Sequence, residues 1–372
     1  MISKVCFMLG LFTGFSRSFL MKGTQRLGPS RFILPTLSTS TAEEVQVFGP
    51  LEIDQLDVYK KILAVAEDAA RKAGVLVREN IGARVHYSKT NYKDVVTEID
   101  IKSQRVIEDT IMSAFPDHGF LGEENVEAGH CASVDALEFS LATEGKEWLW
   151  CVDPIDGTTN FASGLPLCVV SIGVAYKEEV VVGLIYNPVL EEMYTAIRGQ
   201  GAYCNGEKME VAVGELDEAV VNCGYPVGNP VATQTSMRGF SALSSRVRGL
   251  RVIACAAQVM AWVAQGKLSA YYSYDLNAWD VAAGALMIQE AGGQVTDMKN
   301  VPYSLRTRDM LCSQGSPVHK DILTTLKEVD ALSYEEEEDE CQLPDFLNVR
   351  RTKMDPSGRP KTLWYDGHRG QN

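Results

Sequence analysis

Trp148-Leu-Trp-Cys-Val-Asp153-Pro-Ile-Asp156-Gly-Thr158-Thr-Asn160-Phe161 is the stretch on which the reading of this chain turns. Five apolar or aromatic residues run into two aspartates three positions apart, and a small, hydroxyl-rich turn follows. That order describes a buried strand carrying carboxylates to its mouth, then a helix start with free backbone N–H groups. Hard cations take carboxylate oxygens, and phosphate takes helix N-termini. Offered within six residues, the two point to metal-assisted phosphate chemistry.

Around this stretch the chain has 372 residues, enough for one large domain or two medium ones. Its hydrophobic content of 45% supports a sizeable core. The net charge of −14 argues against a sequence-independent nucleic-acid binder. It is compatible with an anionic substrate, because divalent ions reverse the local field. Residues 1–42 hold no acid and five bases, Lys4, Arg17, Lys22, Arg26 and Arg31, and are rich in Ser and Thr. This is the composition of a targeting leader. Val5–Phe15 suits a signal-peptide core and is too short to span a bilayer. The expectation is a disordered or cleaved leader over 1–45, addressed to a chloroplast or other plastid, with a mitochondrion or the secretory route as alternatives. No later stretch approaches eighteen apolar residues, so no membrane partner is expected. The nine cysteines are scattered singly, without a C-x-x-C, and most read as small buried hydrophobes in a reducing compartment. The five histidines form no zinc pattern.

Val58, Ile62, Val65, Ala69, Ala73 and Leu76 recur at helical spacing. A second helix is expected over Asp100–Ala114, then a short strand at Gly119–Gly122 ending in Glu123 and Glu124, and an exposed loop over 125–147. Leu167–Tyr176, Val180–Tyr186 and Glu192–Ile197 read as strands, with tight turns at Lys177-Glu-Glu and Asn205-Gly206. Helices are expected over 256–264, 279–291 and 318–329, the second closed by Gly292-Gly293. The organisation expected is an N-terminal α+β half over 51–211 carrying a metal site, a C-terminal α/β half over 212–330, and an acidic, disordered tail over 331–372 containing Glu335–Glu340.

Carboxylates therefore gather at element ends: Asp94 and Asp100, Glu123 and Glu124, Asp153 and Asp156, and Asp280. Singly, each reads equally well as a helix cap or a surface turn. Together they repel one another unless cations neutralise them. Gly122-Glu123-Glu124, Asp153-Pro-Ile-Asp156-Gly-Thr158-Thr-Asn160 and Trp279-Asp280-Val-Ala-Ala-Gly284 resemble, in order and spacing, the inositol monophosphatase family of magnesium-dependent, lithium-sensitive phosphatases. The resemblance covers about residues 57–330. It implies an α/β (α+β) fold layered α/β/α/β/α, the sugar phosphatase fold shared with fructose 1,6-bisphosphatases. It implies two or three Mg2+ ions: Glu123, Asp153 and the Ile155 carbonyl on the first, Asp153, Asp156 and Asp280 on the second, and a weaker third on Glu123. It implies that Thr158, paired with Asp100, orients and helps deprotonate the attacking water. The N–H groups of Gly157 and Thr158 would cradle phosphate, and Lys89 would stand near the metals. The kink at Pro154 helps aim the Ile155 carbonyl inward. A homodimer is implied as well.

The departures fall on the side that recognises the alcohol. Inositol-phosphate-specific members place a glutamate seven residues before the last aspartate; here that residue is Ser273, with Asp275 two positions on. The family favours Gly-Ser/Thr-Ala-Ala where this chain has Ala254-Cys255-Ala256-Ala257, followed by Gln258 and Val259. Losing a hydroxyl-binding partner alters substrate choice more than chemistry. The expected function is a Mg2+-dependent phosphomonoesterase acting on a small polyol or sugar phosphate, myo-inositol monophosphate first. Alternatives in the same class are histidinol phosphate, L-galactose 1-phosphate, a 3′-phosphonucleotide or fructose 1,6-bisphosphate. The alternative in a different class is a non-catalytic organellar assembly protein that retains the fold.

Overall fold

In the computed structural model the described residues are 53–85, 87–88, 95–226 and 228–334. The expected leader, Lys89, Asp94 and the tail beyond Tyr334 lie outside them. Helix α1 spans Ile53–Asn80 and buries Ile62, Ala66, Ala69, Ala73 and Val77 on one stripe. A two-stranded ladder, β1 (Tyr87–Ser88) and β2 (Val95–Val96), leads into α2, Glu98–Ala114, which buries Ile99, Ser103, Ile107 and Ile111 on its inner face.

A seven-stranded sheet follows: β3 (Gly119–Gly122), β4 (Trp148–Asp156), β5 (Val169–Tyr176), β6 (Glu179–Asn187), β7 (Glu192–Ile197), β8 (Gly201–Cys204) and β9 (Glu207–Lys208), in that spatial order. Helices α3 (His130–Ala142) and α4 (Thr158–Ala162) interrupt it in sequence. Only β3 and β4 pair in parallel. A five-stranded sheet holds β10 (Val220–Cys223), β11 (Gly249–Arg251), β12 (Ala270–Ser273), β13 (Gln294–Asp297) and β14 (Met310–Ser313), ordered β11-β10-β12-β14-β13. Its helices are α5 (Pro230–Leu243), α6 (Ala256–Ala264), α7 (Ala278–Glu290) and α8 (Val318–Glu328).

Side-chain alternation sets the layers. In β4, Trp150 and Val152 face α1 and α2, while Leu149 and Cys151 face α6 and α7. In β12, Tyr271 faces α6 and α7, while Ala270 and Tyr272 face α5 and α8. Both sheets are therefore covered on both faces, which is why their strands read as near-continuous apolar runs. The result is α1/α2, large sheet, α6/α7, small sheet, α5/α8, the layered order expected. Full burial of Ile172 and Leu184 contributes about 1.5–3 kcal/mol each. The middle layer lies close to the large sheet: a Cβ on Gly173 would stand 2.5 Å from the Ala282 Cβ, and one on Gly183 would stand 2.7 Å from the Ala283 carbonyl. The small residues after Asp280 thus let α7 press onto β5 and β6.

One expectation fails. The stretch 125–147 is not a loop throughout but holds α3, which buries only Ser133 and Leu137. A helix anchored at two positions leaves no apolar stripe to read. Cys151, Cys168, Cys204, Cys223, Cys255 and Cys312 are free and buried, whereas Cys131 is disulfide-bonded. Among the described residues no helix is long and apolar enough to cross a membrane.

Candidate active site

Each acidic side chain arrives by its own local device. β4 pairs with β5 up to Asp153, loses register, and resumes at Asp156–Val169. Pro154 lies in the gap, where its missing N–H costs no ladder bond. Gly157 then turns the chain at φ +88°, and a Cβ there would meet the Leu167 carbonyl at 2.7 Å. Only glycine fits, and α4 begins at Thr158. The parallel register Gly122↔Val152 sets Glu123, first residue of a 3-10 turn, beside Asp153. Gln104 of α2 fixes that turn by accepting the Glu124 N–H at 2.8 Å.

Asp100 and Asp280 are the third residues of α2 and α7 and close capping boxes. Thr97 N–H donates to Asp100 Oδ2 at 2.9 Å, and Asn277 N–H donates to Asp280 Oδ2 at 2.7 Å. Ile155 N–H donates to Asp153 Oδ1 at 2.9 Å. Asp156 Oδ2 sits at the N-terminus of α6, accepting the Ala257 N–H at 2.5 Å, with Cys255 Sγ at 3.4 Å. One oxygen of each aspartate is thus tied to a backbone N–H. Asp100 Oδ1 accepts from the Thr158 hydroxyl at 3.0 Å, and that hydroxyl is also 3.0 Å from the Ile155 carbonyl. Its single proton serves one of them at a time.

The charges stand close and dry. Burial, then the charges of Glu123, Asp156 and Asp280, push the Asp153 carboxyl well above its usual range, and Asp153 also shares a hydrogen bond with Glu123. Burial and the neighbouring acids do the same to Asp280, and burial takes Asp156 and Asp100 to about 6. Buried carboxylates that raise one another need a cation or a proton. An all-oxygen set of buried carboxylates has the donor chemistry that suits Mg2+, a hard ion. Among the described residues no three His, Cys, Asp or Glu side chains stand placed to hold a metal ion as they are. Glu123, Asp156 and Asp280 line the wall of a cavity of about 450 Å³.

Gly157, Thr158, Asp156, Asp280 and Glu123 line that cavity together with Ser273. Ser273 is buried, and its hydroxyl reaches only the Tyr274 carbonyl, at 3.4 Å. Gln258 and Val259 do not face the cavity. Gln258 accepts from Asn187 Nδ2 at 2.7 Å inside the core, and Val259 packs there too. Position 254 does matter: Ala254 lines the cavity with φ +55°, a left-handed conformation that glycine adopts freely.

Three residues of this wall were absent from the sequence reading. Arg308 Nη2 donates to Asp275 Oδ1 at 2.5 Å, and Arg308 Nη1 donates to Asn277 Oδ1 at 2.8 Å. His130 Nδ1 lies 3.0 Å from the same Asp275 oxygen. Burial alone would raise the Asp275 carboxyl, but the His130 hydrogen bond and the Arg308 guanidinium outweigh it and bring it to about 2. The third is Asn222 on β10, whose amide oxygen is buried and has no donor among the described residues. Arg308 and Asn222 lie far in sequence from the motifs, and His130, six residues after Glu124, joins the wall only through Asp275.

Residues 58–331 match the inositol monophosphatase family model. Inositol monophosphatase 1 of Solanum lycopersicum is 34% identical over 254 residues, 67% of this chain and 89% of that protein. The Nus factor SuhB of Pseudomonas aeruginosa is 33% identical over 72% of this chain and 96% of its own length. The crystal structure of the extragenic suppressor protein suhB from Bartonella henselae superposes with a TM-score of 0.64 at 31% identity, covering 72% of this chain and 99% of that one. The relatives named inositol monophosphatase are phosphomonoester hydrolases. A match that runs from α1 past the end of α8 spans the whole described body, and the chain therefore belongs to the inositol monophosphatase family.

Proposed function

We propose that this enzyme is a Mg2+-dependent phosphomonoesterase acting on a small polyol or sugar phosphate, with myo-inositol monophosphate first. The observation that carries it is the convergence of Glu123, Asp156, Asp280 and the Thr158–Asp100 pair on one cavity. Glu123, Asp153 and the Ile155 carbonyl would hold a first ion, Asp153, Asp156 and Asp280 a second, and Glu123 a weaker third. When bound, the ions neutralise phosphoryl charge and make a water acidic enough to attack. The chain does the rest. Thr158 donates its hydroxyl proton to Asp100, which leaves its lone pairs to orient the attacking water and take its hydrogen bond. Asp100, with Oδ2 held by Thr97, is the destination for the proton. The N–H groups of Gly157 and Thr158, at the start of α4, receive the phosphate oxygens. The leader over 1–45 directs the protein to a plastid, and the working form is a homodimer, as the family resemblance implies.

Phosphate release tests this. The panel is myo-inositol monophosphate, L-galactose 1-phosphate, histidinol phosphate, a 3′-phosphonucleotide and fructose 1,6-bisphosphate, with and without Mg2+ and lithium. Release that needs Mg2+ and falls with lithium is expected. No release from any ester, with Asp156→Asn indistinguishable from wild type, sinks the reading.

A second reading rests on the P. aeruginosa relative named a Nus factor: a binding or assembly role on the same fold. The net charge of −14 argues against sequence-independent contact with nucleic acid.

A further inference from the structure

The cavity has a second functional wall. β10 and β12 run in parallel, with Asn222 opposite Tyr271, and both end at the cavity. The carboxyl ends of parallel strands are where open α/β sheets take ligands. Asn222, Ser273 and Asp275 lie on this rim.

Asp275 is held with unusual care. Its backbone sits at φ +54°, and its N–H donates to Asp309 Oδ1 at 3.0 Å. Its Oδ1 carries both Arg308 and His130. Arg308 is fixed in turn, donating to Ser133 Oγ at 2.9 Å and to the Asn277 amide oxygen. Oδ2 takes no hydrogen bond from any described residue. A strained residue over-determined by its surroundings, at the wall of a cavity, is a sign of use.

We propose that Asp275 reads the hydroxyl groups of the leaving alcohol where Ser273 is too short to do so. This rests on the reading of the site as a phosphomonoesterase. With Oδ1 held by Arg308 and His130, Oδ2 is the acceptor left for the ligand, so it calls for a donor there.

Asp275→Asn tests the assignment. If the new amide oxygen keeps the Arg308 bond, the oxygen facing the cavity becomes an NH2 donor. Steady-state kinetics with Mg2+ compare myo-inositol 1-phosphate with phenyl phosphate, an ester without hydroxyls. KM for the inositol ester should rise about ten- to a hundredfold with kcat within twofold, as expected for one charge-assisted hydrogen bond. Phenyl phosphate turnover should not change, which also reports that the variant folds. Calorimetric affinity for myo-inositol 1-phosphate should fall in parallel. Equal losses on both esters overturn the proposal, since Asp275 would then only shape the cavity. So does an unchanged KM and affinity for the inositol ester. A wild type that cleaves phenyl phosphate and no polyol phosphate faster overturns the polyol reading of the function itself. One that discriminates while Asp275→Asn leaves the preference unchanged overturns only the role of Asp275.

Discussion

In the acid cluster at one side of the cavity, Asp100, Asp153 and Asp280 are tied to backbone N–H groups two or three residues away, at Thr97, Ile155 and Asn277. On the other, Asp275 is tied by side chains, Arg308 from 33 residues away and His130 from 145. For these three the ties are helix caps and a strand bulge, written in the local sequence, whereas Asp156 leans on the Ala257 N–H from 101 residues away. The ties of Asp275 exist only once β12, α3 and the segment before β14 have met. Three of the acids are thus set mainly by local geometry, while the proposed alcohol-reading residue is set by long-range contacts.

Breaking the acid cluster should have the largest effect. Asp156→Asn or Asp280→Asn removes one charge from the proposed ion site. The ions supply several kcal/mol of transition-state stabilisation, and losing roughly 4 kcal/mol of it lowers kcat about a thousandfold. In metal-free buffer the same variants should melt no lower than wild type, because each relieves repulsion among buried carboxylates. Differential scanning with and without Mg2+ checks this, and a variant that melts several degrees lower without metal contradicts the account of these acids.

Next is the proton path. Thr158→Val keeps the shape and deletes the hydroxyl that bridges to Asp100. A fall in kcat of about a hundred- to ten-thousandfold is expected, the range of general acid–base contributions. Thr158→Ser should stay within about tenfold of wild type by the same measure. A Thr158→Val variant as active as wild type would mean that the hydroxyl does not matter.

The same division governs what the sequence disclosed. Asp153, Asp156 and Asp280 were legible because cap, bulge and turn chemistry are written over three or four residues. The long helices α1 and α2 were legible because each buries a continuous stripe. α3 was hidden because it buries only Ser133 and Leu137 and so shows no period. Gln258, beside a helix start that faces the cavity, was placed there in error, since one residue of helical rotation turns it to Asn187 in the core. Arg308, His130 and Asn222 had no local signal at all.

His319 tests whether the second half of the molecule holds itself by the same long-range means. It joins α8 to the small sheet, with Nδ1 2.9 Å from Ser313 Oγ and Nε2 2.9 Å from Thr296 Oγ1. Burial lowers it from 6.5 to about 4. The unfolded chain therefore takes up a proton first as pH falls. The contribution of His319 is complete above pH about 6.5 and lost as pH falls toward 4, by at most about 3 kcal/mol. Urea midpoints of wild type and His319→Gln should converge between pH 7.5 and 4.5. A gap that stays constant over that interval rules this titration out.

The smallest effect is expected where the walls meet, at Ala254. Asn160 of α4 donates to the Ile253 and Ala254 carbonyls at 2.9 and 3.3 Å, which clamps the start of α6 against the phosphate turn and leaves Ala254 left-handed. An alanine there costs about 1–2 kcal/mol in the folded state, and glycine gives back part of that through its freer unfolded chain. Ala254→Gly should therefore gain up to about 1 kcal/mol, read as a higher urea midpoint with an unchanged slope. Ala254→Val should lose more than that, because a branched side chain fits this conformation worse. If Ala254→Gly is more stable and equally active, the alanine is merely tolerated. If it is more stable and slower on polyol phosphates alone, the strain at 254 is part of how the alcohol wall is held against the phosphate turn.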